Sequence, residues 1–148
     1  MSDTKPRLLG LSGSIRREST NTAILETLAE KIGAKASLTV FSLNEIPIYN
    51  SDLDGNLLPQ SVRLLKESIA SSDGIILASP EYNHGMSGVL KNALDWASRP
   101  TFASPLKNKP ALFLSHPHRV MSAARAPMRR CRRPLPPRWR GWSSDHRS

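Results

Sequence analysis

The sequence is short of several things that would narrow its chemistry. Its 148 residues include one cysteine, Cys131, so neither a disulfide framework nor a cysteine-based metal cluster can form within the chain. That single thiol leaves the redox compartment open. No His, Cys, Asp or Glu spacing suits a metal ion, and no second His or carboxylate stands at a fixed distance from His84 to mark acid/base work. Long apolar runs are also missing. Residues 1–10 carry Asp3, Lys5 and Arg7 beside a brief apolar stretch, too short for a secretory segment or a membrane span, so a cytoplasmic protein with no membrane partner is expected. Acidic residues are scarce in one place only. Residues 116–148 hold nine arginines against one aspartate, whereas residues 1–115 hold 12 Lys+Arg against 11 Asp+Glu. The net charge of +9 therefore describes a tail and says little about what the rest of the chain binds.

What remains, 39% hydrophobic with 22% charged residues, suits one compact α/β domain over residues 1–115, followed by an Arg/Pro-rich segment over 116–148 expected to lack order. Leu8-Leu9-Gly10-Leu11 reads as a buried strand stopped by Ser12-Gly13-Ser14. From Asn21 the apolar period becomes helical through Ile24, Leu25, Leu28 and Ile32, with Ser19 and Thr20 as capping hydroxyls and Gly33 as a stop. A second strand is expected over 38–43, and 46–59 reads as a connector. A second helix follows on Val62, Leu65 and Ile69. Gly74-Ile75-Ile76-Leu77-Ala78 is a continuous apolar run, as in a strand covered on both faces, with Pro80 expected to end it. A third helix carries Val89, Leu90, Ala93, Leu94 and Trp96, and Ala111-Leu112-Phe113-Leu114 makes a fourth strand. The βαβαβαβ order predicts a doubly wound parallel sheet with helices on both faces.

In such sheets ligands bind beyond the carboxyl ends of the strands, where the strand order reverses. Two loops leave that edge. The first, residues 12–21, offers Gly13 for close backbone approach, the hydroxyls of Ser14 and Ser19, the Asn21 amide and the Arg16 charge beside a helix N-terminus, a set suited to a terminal phosphate. It is neither Gly-x-Gly-x-x-Gly nor a P-loop, and the same residues also suit an ordinary Ser/Gly turn capping a helix. The second, residues 80–88, offers Tyr82, Asn83, His84 and flexible backbone. Those groups fit a flat, polar-edged heterocycle, or else a packed tyrosine and a turn at Asn83 and Gly85.

Gly13-Ser14-Ile15-Arg16-Arg17-Glu18-Ser19-Thr20-Asn21, Ile46-Pro47-Ile48-Tyr49, and Pro80-Glu81-Tyr82-Asn83 running on to Gly88-Val89-Leu90-Lys91-Asn92-Ala93-Leu94-Asp95-Trp96 resemble the NAD(P)H-dependent FMN reductase family, which includes chromate and quinone reductases. The resemblance spans about residues 7–115 and implies a flavodoxin-like three-layer sandwich. It implies that Ser14, Arg16, Ser19 and Asn21 hold the FMN phosphate, and that Pro80, Glu81, Tyr82, Asn83 and His84 line the isoalloxazine ring, with Ser115 joining the cofactor site. It further implies NADPH or NADH as co-substrate, a small acceptor such as a flavin, quinone or chromate, and a homodimer or tetramer. The flavin carries the chemistry in this family, so no protein nucleophile is required.

The resemblance stops after Ser115. The family continues with a Gly-x-x-Gly-Gly-x-Arg-Ala segment, a helix, a further strand and a last helix, whereas here arginine, proline and tryptophan follow without apolar periodicity. Read one base back, residues 119–126 permit Gly-x-Val-Gly-Gly-Ala-Arg-Ala, and the junctions Met128-Arg129 and Trp139-Arg140 allow Ala, so a frameshift near Ser115 is expected. The sheet should then lack its last strand and helix, expose the fourth strand, and leave a chain of low stability or weak activity. Two other functions compete: a flavodoxin-like electron carrier, and, ranked lower, nucleic-acid binding through the arginines of the tail.

Overall fold

The structure, a computed structural model, describes residues 5–116. Strand β1 (Arg7–Ser12) leads to helix α1 (Thr20–Ile32), strand β2 (Ser37–Phe41), helix α2 (Gln60–Ser71), strand β3 (Gly74–Tyr82), the two-residue strand β4 (Gly85–Met86), helix α3 (Gly88–Ala97) and strand β5 (Ala111–His116). The connector between β2 and α2 holds two short 3-10 turns, Ser51–Leu53 and Gly55–Leu57.

The parallel ladder runs β2-β1-β3-β5. From β1 the chain goes to one neighbour, β2, and then crosses to the other, β3, so the order reverses at β1. The first ladder step is tied down at the amino edge, where the Arg7 and Asp73 backbones pair and the Asp73 carboxylate accepts the Arg7 N–H at 2.7 Å. Alternation then decides what each face buries. Leu9, Leu11, Ile75 and Leu77 meet Leu65 and Ile69 of α2 and Leu90, Ala93 and Ala97 of α3, while Ile76 and Ala78 meet Leu25 and Leu28 of α1. This is the doubly wound parallel sheet that the order of elements predicts, and the flavodoxin-like sandwich that the resemblance implies. Fully burying a side chain such as Leu11 or Leu65, both 0% exposed, contributes roughly 1.5–3 kcal/mol.

Three expectations need correction. Pro80 does not end β3, which runs on to Tyr82. The reason lies in the direction of the backbone groups. Ile75 donates toward the β5 side, to Pro110 O, and Ala78 accepts from Gly13 on the β1 side, so alternation turns the Pro80 nitrogen toward β1. There β1 has already ended at Ser12, paired with Ala78, and the missing N–H has no ladder to break. Second, β2 closes at Phe41 rather than at residue 43, and Leu43 is buried against the α2/α3 face from outside the strand. Third, the segment after β3 is a hairpin and not an open loop.

At the far side of the sheet β5 pairs with β3 alone among the described residues. Leu112 is 52% exposed and Phe113 48% exposed, so the fourth parallel strand shows apolar surface, as expected from the sequence. The expectations for residues 117–148, their lack of order and their reading frame, lie outside the described residues.

Candidate functional site

The first loop leaves β1 at its carboxyl end and returns into α1. Ser19 caps the helix: its hydroxyl accepts the Thr22 N–H at 3.2 Å, and its carbonyl accepts the Ala23 N–H at 3.0 Å. The N–H groups of Thr20 and Asn21 precede the first helical hydrogen bond, and the first turn carries no acidic residue. Asn21 is 5% exposed, yet its side-chain amide has no hydrogen bond among the described residues. Ser12 orders the start of the loop, its hydroxyl receiving the Thr22 hydroxyl at 2.9 Å and bridging the Ser14 backbone. Ser14 is half-buried. Arg16 is exposed, with Nη2 donating to the Glu18 carbonyl at 2.6 Å, so its guanidinium lies back along the loop.

The second segment is built as a hairpin on the end of β3. Glu81 pairs with Met86 and Tyr82 with Gly85, leaving Asn83 and His84 as a two-residue turn with φ of +52° and +62°. Positive φ at both central positions is what a tight hairpin of right-handed twist demands. The turn is therefore made by Asn83 and His84, and not by Asn83 with Gly85. Pro80 is buried, whereas Glu81, Tyr82, Asn83 and His84 are exposed, and His84 Nδ1 stands 3.6 Å from the Glu81 carboxylate. Ser115 lies across the ladder from Ser79 at the same edge of the sheet.

The two segments meet at Gly13. Its N–H donates to Ala78 O at 2.7 Å, and a side chain there would stand 2.6 Å from Ser87 Oγ and 3.0 Å from Ser79 Oγ. Both serines are buried. Ser79 Oγ accepts the Ser87 N–H at 3.0 Å and donates to Pro80 O, while Ser87 Oγ caps α3 by accepting the Leu90 N–H. Neither serine stands out in the sequence. Hydroxyl residues have no periodic signature, and only the fold brings positions 13, 79 and 87 together.

Helix α3 explains the Lys91-Asn92-Ala93-Leu94-Asp95-Trp96 run. Asn92 accepts the Tyr49 N–H at 2.8 Å and donates to Pro47 O, to which the Trp96 indole N–H also donates at 2.8 Å. Tyr49 meets Trp96 edge-on, 4.9 Å between ring centres, and carries the Arg99 guanidinium on its face. This run pins the Ile46-Pro47-Ile48-Tyr49 connector, so its polar side chains serve packing between α3 and that connector. At the other end of that connector Tyr49 donates its hydroxyl to Asp54, which faces Lys66 of α2. Partial burial holds the Lys66 ammonium below its ordinary value of 10.5, with the Asp54 charge opposing the shift. A separate open groove of about 670 Å³, lined among others by Phe41, Glu45, Gln60 and Leu64, shares no residue with the two loops. Its polar rim lacks a cation, which makes it a poor place for a phosphate.

The described residues contain no group of three metal-ligating side chains and no helix long and apolar enough to cross a membrane. The chain is 39% identical over 120 residues to an NAD(P)H-dependent FMN reductase of Pseudomonas aeruginosa, covering 81% of this chain and 64% of that one. It is 40% identical over 102 residues to a 2-hydroxy-1,4-benzoquinone reductase of a Burkholderia species, covering 69% of this chain and 55% of the relative. Among solved structures, a flavoenzyme NAD(P)H:(acceptor) oxidoreductase from Paracoccus denitrificans superposes with a TM-score of 0.70 at 33% identity, covering 74% of this chain and 60% of the other. The chain thus spans 55–64% of the length of these relatives. With residues 6–131 matching the family model for NADPH-dependent FMN reductase, the chain belongs to that family.

Proposed function

We propose that this chain binds FMN between its first loop and its β3–β4 hairpin and serves as an NAD(P)H-dependent oxidoreductase toward a small acceptor of the quinone type. The observation that carries the reading is the cradle at the N-terminus of α1. At the first turn of α1 Asn21 is 5% exposed as a residue and its amide makes no hydrogen bond among the described residues; the same turn has free N–H groups and no acid to repel an anion, and the loop leading into it carries the Ser14 and Ser19 hydroxyls and the Arg16 cation. Donors of this kind fit a phosphate monoester. The hairpin fits the other end of the cofactor, because its backbone and Tyr82 offer polar edges and a ring face for a flat heterocycle.

In this reading Asn21 and the first N–H groups of α1 hold the phosphate. Arg16 swings from the Glu18 carbonyl to the anion. Pro80, Glu81, Tyr82, Asn83 and His84 would line the ring, with Ser115 at the same edge of the sheet. When bound, FMN supplies the redox chemistry by taking hydride from NAD(P)H and yielding it to the acceptor. The protein contributes position and electrostatics. The names of the relatives support a quinone more directly than chromate as acceptor. A homodimer or tetramer acting in the cytoplasm completes the proposal, checked by light scattering of the flavin-loaded protein. The test of the reading is an FMN titration of the 148-residue chain followed by flavin fluorescence, with NADPH and a benzoquinone added at saturation. Saturable quenching and quinone-dependent NADPH oxidation are expected. A folded chain that leaves flavin fluorescence unchanged would overturn it.

A further inference from the structure

The cradle for the phosphate and the hairpin for the ring lie on different segments of chain, and a ligand that spans both needs them held in one register. We infer that Ser79, Ser87 and Gly13 form a buried lock that sets this register, so that Ser79 and Ser87 are positioning residues for a ligand neither of them touches. The inference rests on the FMN reading for the identity of the ligand and on geometry for the lock itself.

Ser79 is 0% exposed and Ser87 2% exposed. The Ser79 hydroxyl is engaged both as acceptor and as donor: it accepts the Ser87 N–H, where the hairpin turns into α3, and donates to Pro80 O at the root of the hairpin. One side chain thus ties the outgoing and returning arms together. Gly13 is wedged against this pair from the other segment. Its N–H is held by Ala78 O at 2.7 Å, and a Cβ would lie 2.6 Å from Ser87 Oγ and 3.2 Å from the Ser79 Cα. Only a residue without a side chain lets the first loop come this close. Beyond Gly13 the Ser12 and Thr22 hydroxyls carry the connection to the first turn of α1. An unbroken run of short contacts therefore joins the hairpin root to the phosphate cradle.

A ligand with two recognised ends gains from such a lock. Once one end is seated, the other binds at an effective concentration set by how well the two subsites match its length. Loosening the lock should lower the advantage of FMN over riboflavin, which lacks the phosphate, although no phosphate contact is removed. General loss of stability, or a looser hairpin alone, would weaken both flavins by the same factor.

The test compares FMN and riboflavin affinities of the full chain and its Ser79→Ala variant by fluorescence, together with amide hydrogen exchange without flavin. We expect FMN to bind about tenfold more weakly and riboflavin about threefold or less. Amides of residues 13–19 should exchange faster along with those of 81–87. Equal losses for both flavins, or faster exchange confined to the hairpin, would overturn the lock. Should the chain bind no flavin, the FMN reading falls while the exchange arm still decides the lock. If Ser79→Ala does not fold, Gly13→Ala approaches the same contact from the other side. In the unaltered chain, moreover, the Gly13 and Ser87 amides should share one opening reaction in mild denaturant, and separate openings would contradict the inference.

Discussion

The centre of the sheet and its β5 edge are built from similar residues to opposite effect. Between β1 and β3 every turn of the ladder is covered: Leu9, Leu11, Ile75, Ile76, Leu77 and Ala78 are all under 9% exposed, and the loops beyond them are bolted by hydroxyls. One strand farther on, Leu112 and Phe113 are about half exposed in the same parallel sheet. Sheet pairing alone does not bury a strand. Burial needs a layer on each face, which α1, α2 and α3 supply for the centre and which the described residues do not supply for β5. The candidate site sits on the well-covered part, and that is where two segments must be held still.

The contrast can be broken most forcefully at Trp96, fully buried, donating to Pro47 and meeting Tyr49 edge to face. Trp96→Ala should cost about 3–5 kcal/mol, read as a lower urea midpoint, and should free the connector from α3. Leu11→Ala in the centre should cost about 2–5 kcal/mol, whereas Leu112→Ala at the edge should cost less than about 1 kcal/mol; equal costs would erase the distinction. Arg16→Ala should leave the urea midpoint unchanged and weaken FMN by about 1.5–3 kcal/mol, the range of a hydrogen bond to a charged group. An unchanged FMN affinity would remove Arg16 from the phosphate site.

A smaller effect is expected at the hairpin tip. His84 holds φ at +62°, which favours glycine, so His84→Gly should raise stability by about 0.5–1 kcal/mol in thermal unfolding. The smallest concerns Lys66. Its folded value lies below 10.5 because burial disfavours the ammonium, so the unfolded chain binds the proton more readily. Stability should therefore rise as pH climbs from the folded value toward 10.5, and Lys66→Met should flatten that rise.

Much of this architecture is legible in the residues. The change from the run around Leu9 to the helical spacing of Leu25, Leu28 and Ile32 marks β1 and α1, and Ser19 caps where its position predicts. Local pattern reaches such features because each depends on neighbours in sequence. Pro80 misleads for the opposite reason: whether proline breaks a strand depends on which side its nitrogen faces and on whether a neighbour is still there. The turn at Asn83 and His84 carries no glycine at its second position, so its usual signal is absent. Likewise Ser79, Ser87 and Gly13 become one feature only after β1 and β3 lie side by side. The resemblance implies that Ser14, Arg16, Ser19 and Asn21 share one site with residues 80–84; what the fold shows is Gly13, just before the first set, against Ala78, Ser79 and Ser87, which flank the second.

The central claim, that one ligand is shared by the loop after β1 and the hairpin after β3, is tested most directly by following backbone amide resonances of the full chain during an FMN titration. Shifts concentrated in residues 13–21 and 79–87, saturating together with a single affinity, are the expected result. Shifts confined to one of the two segments, or centred on the groove at Phe41 and Leu64, would contradict it.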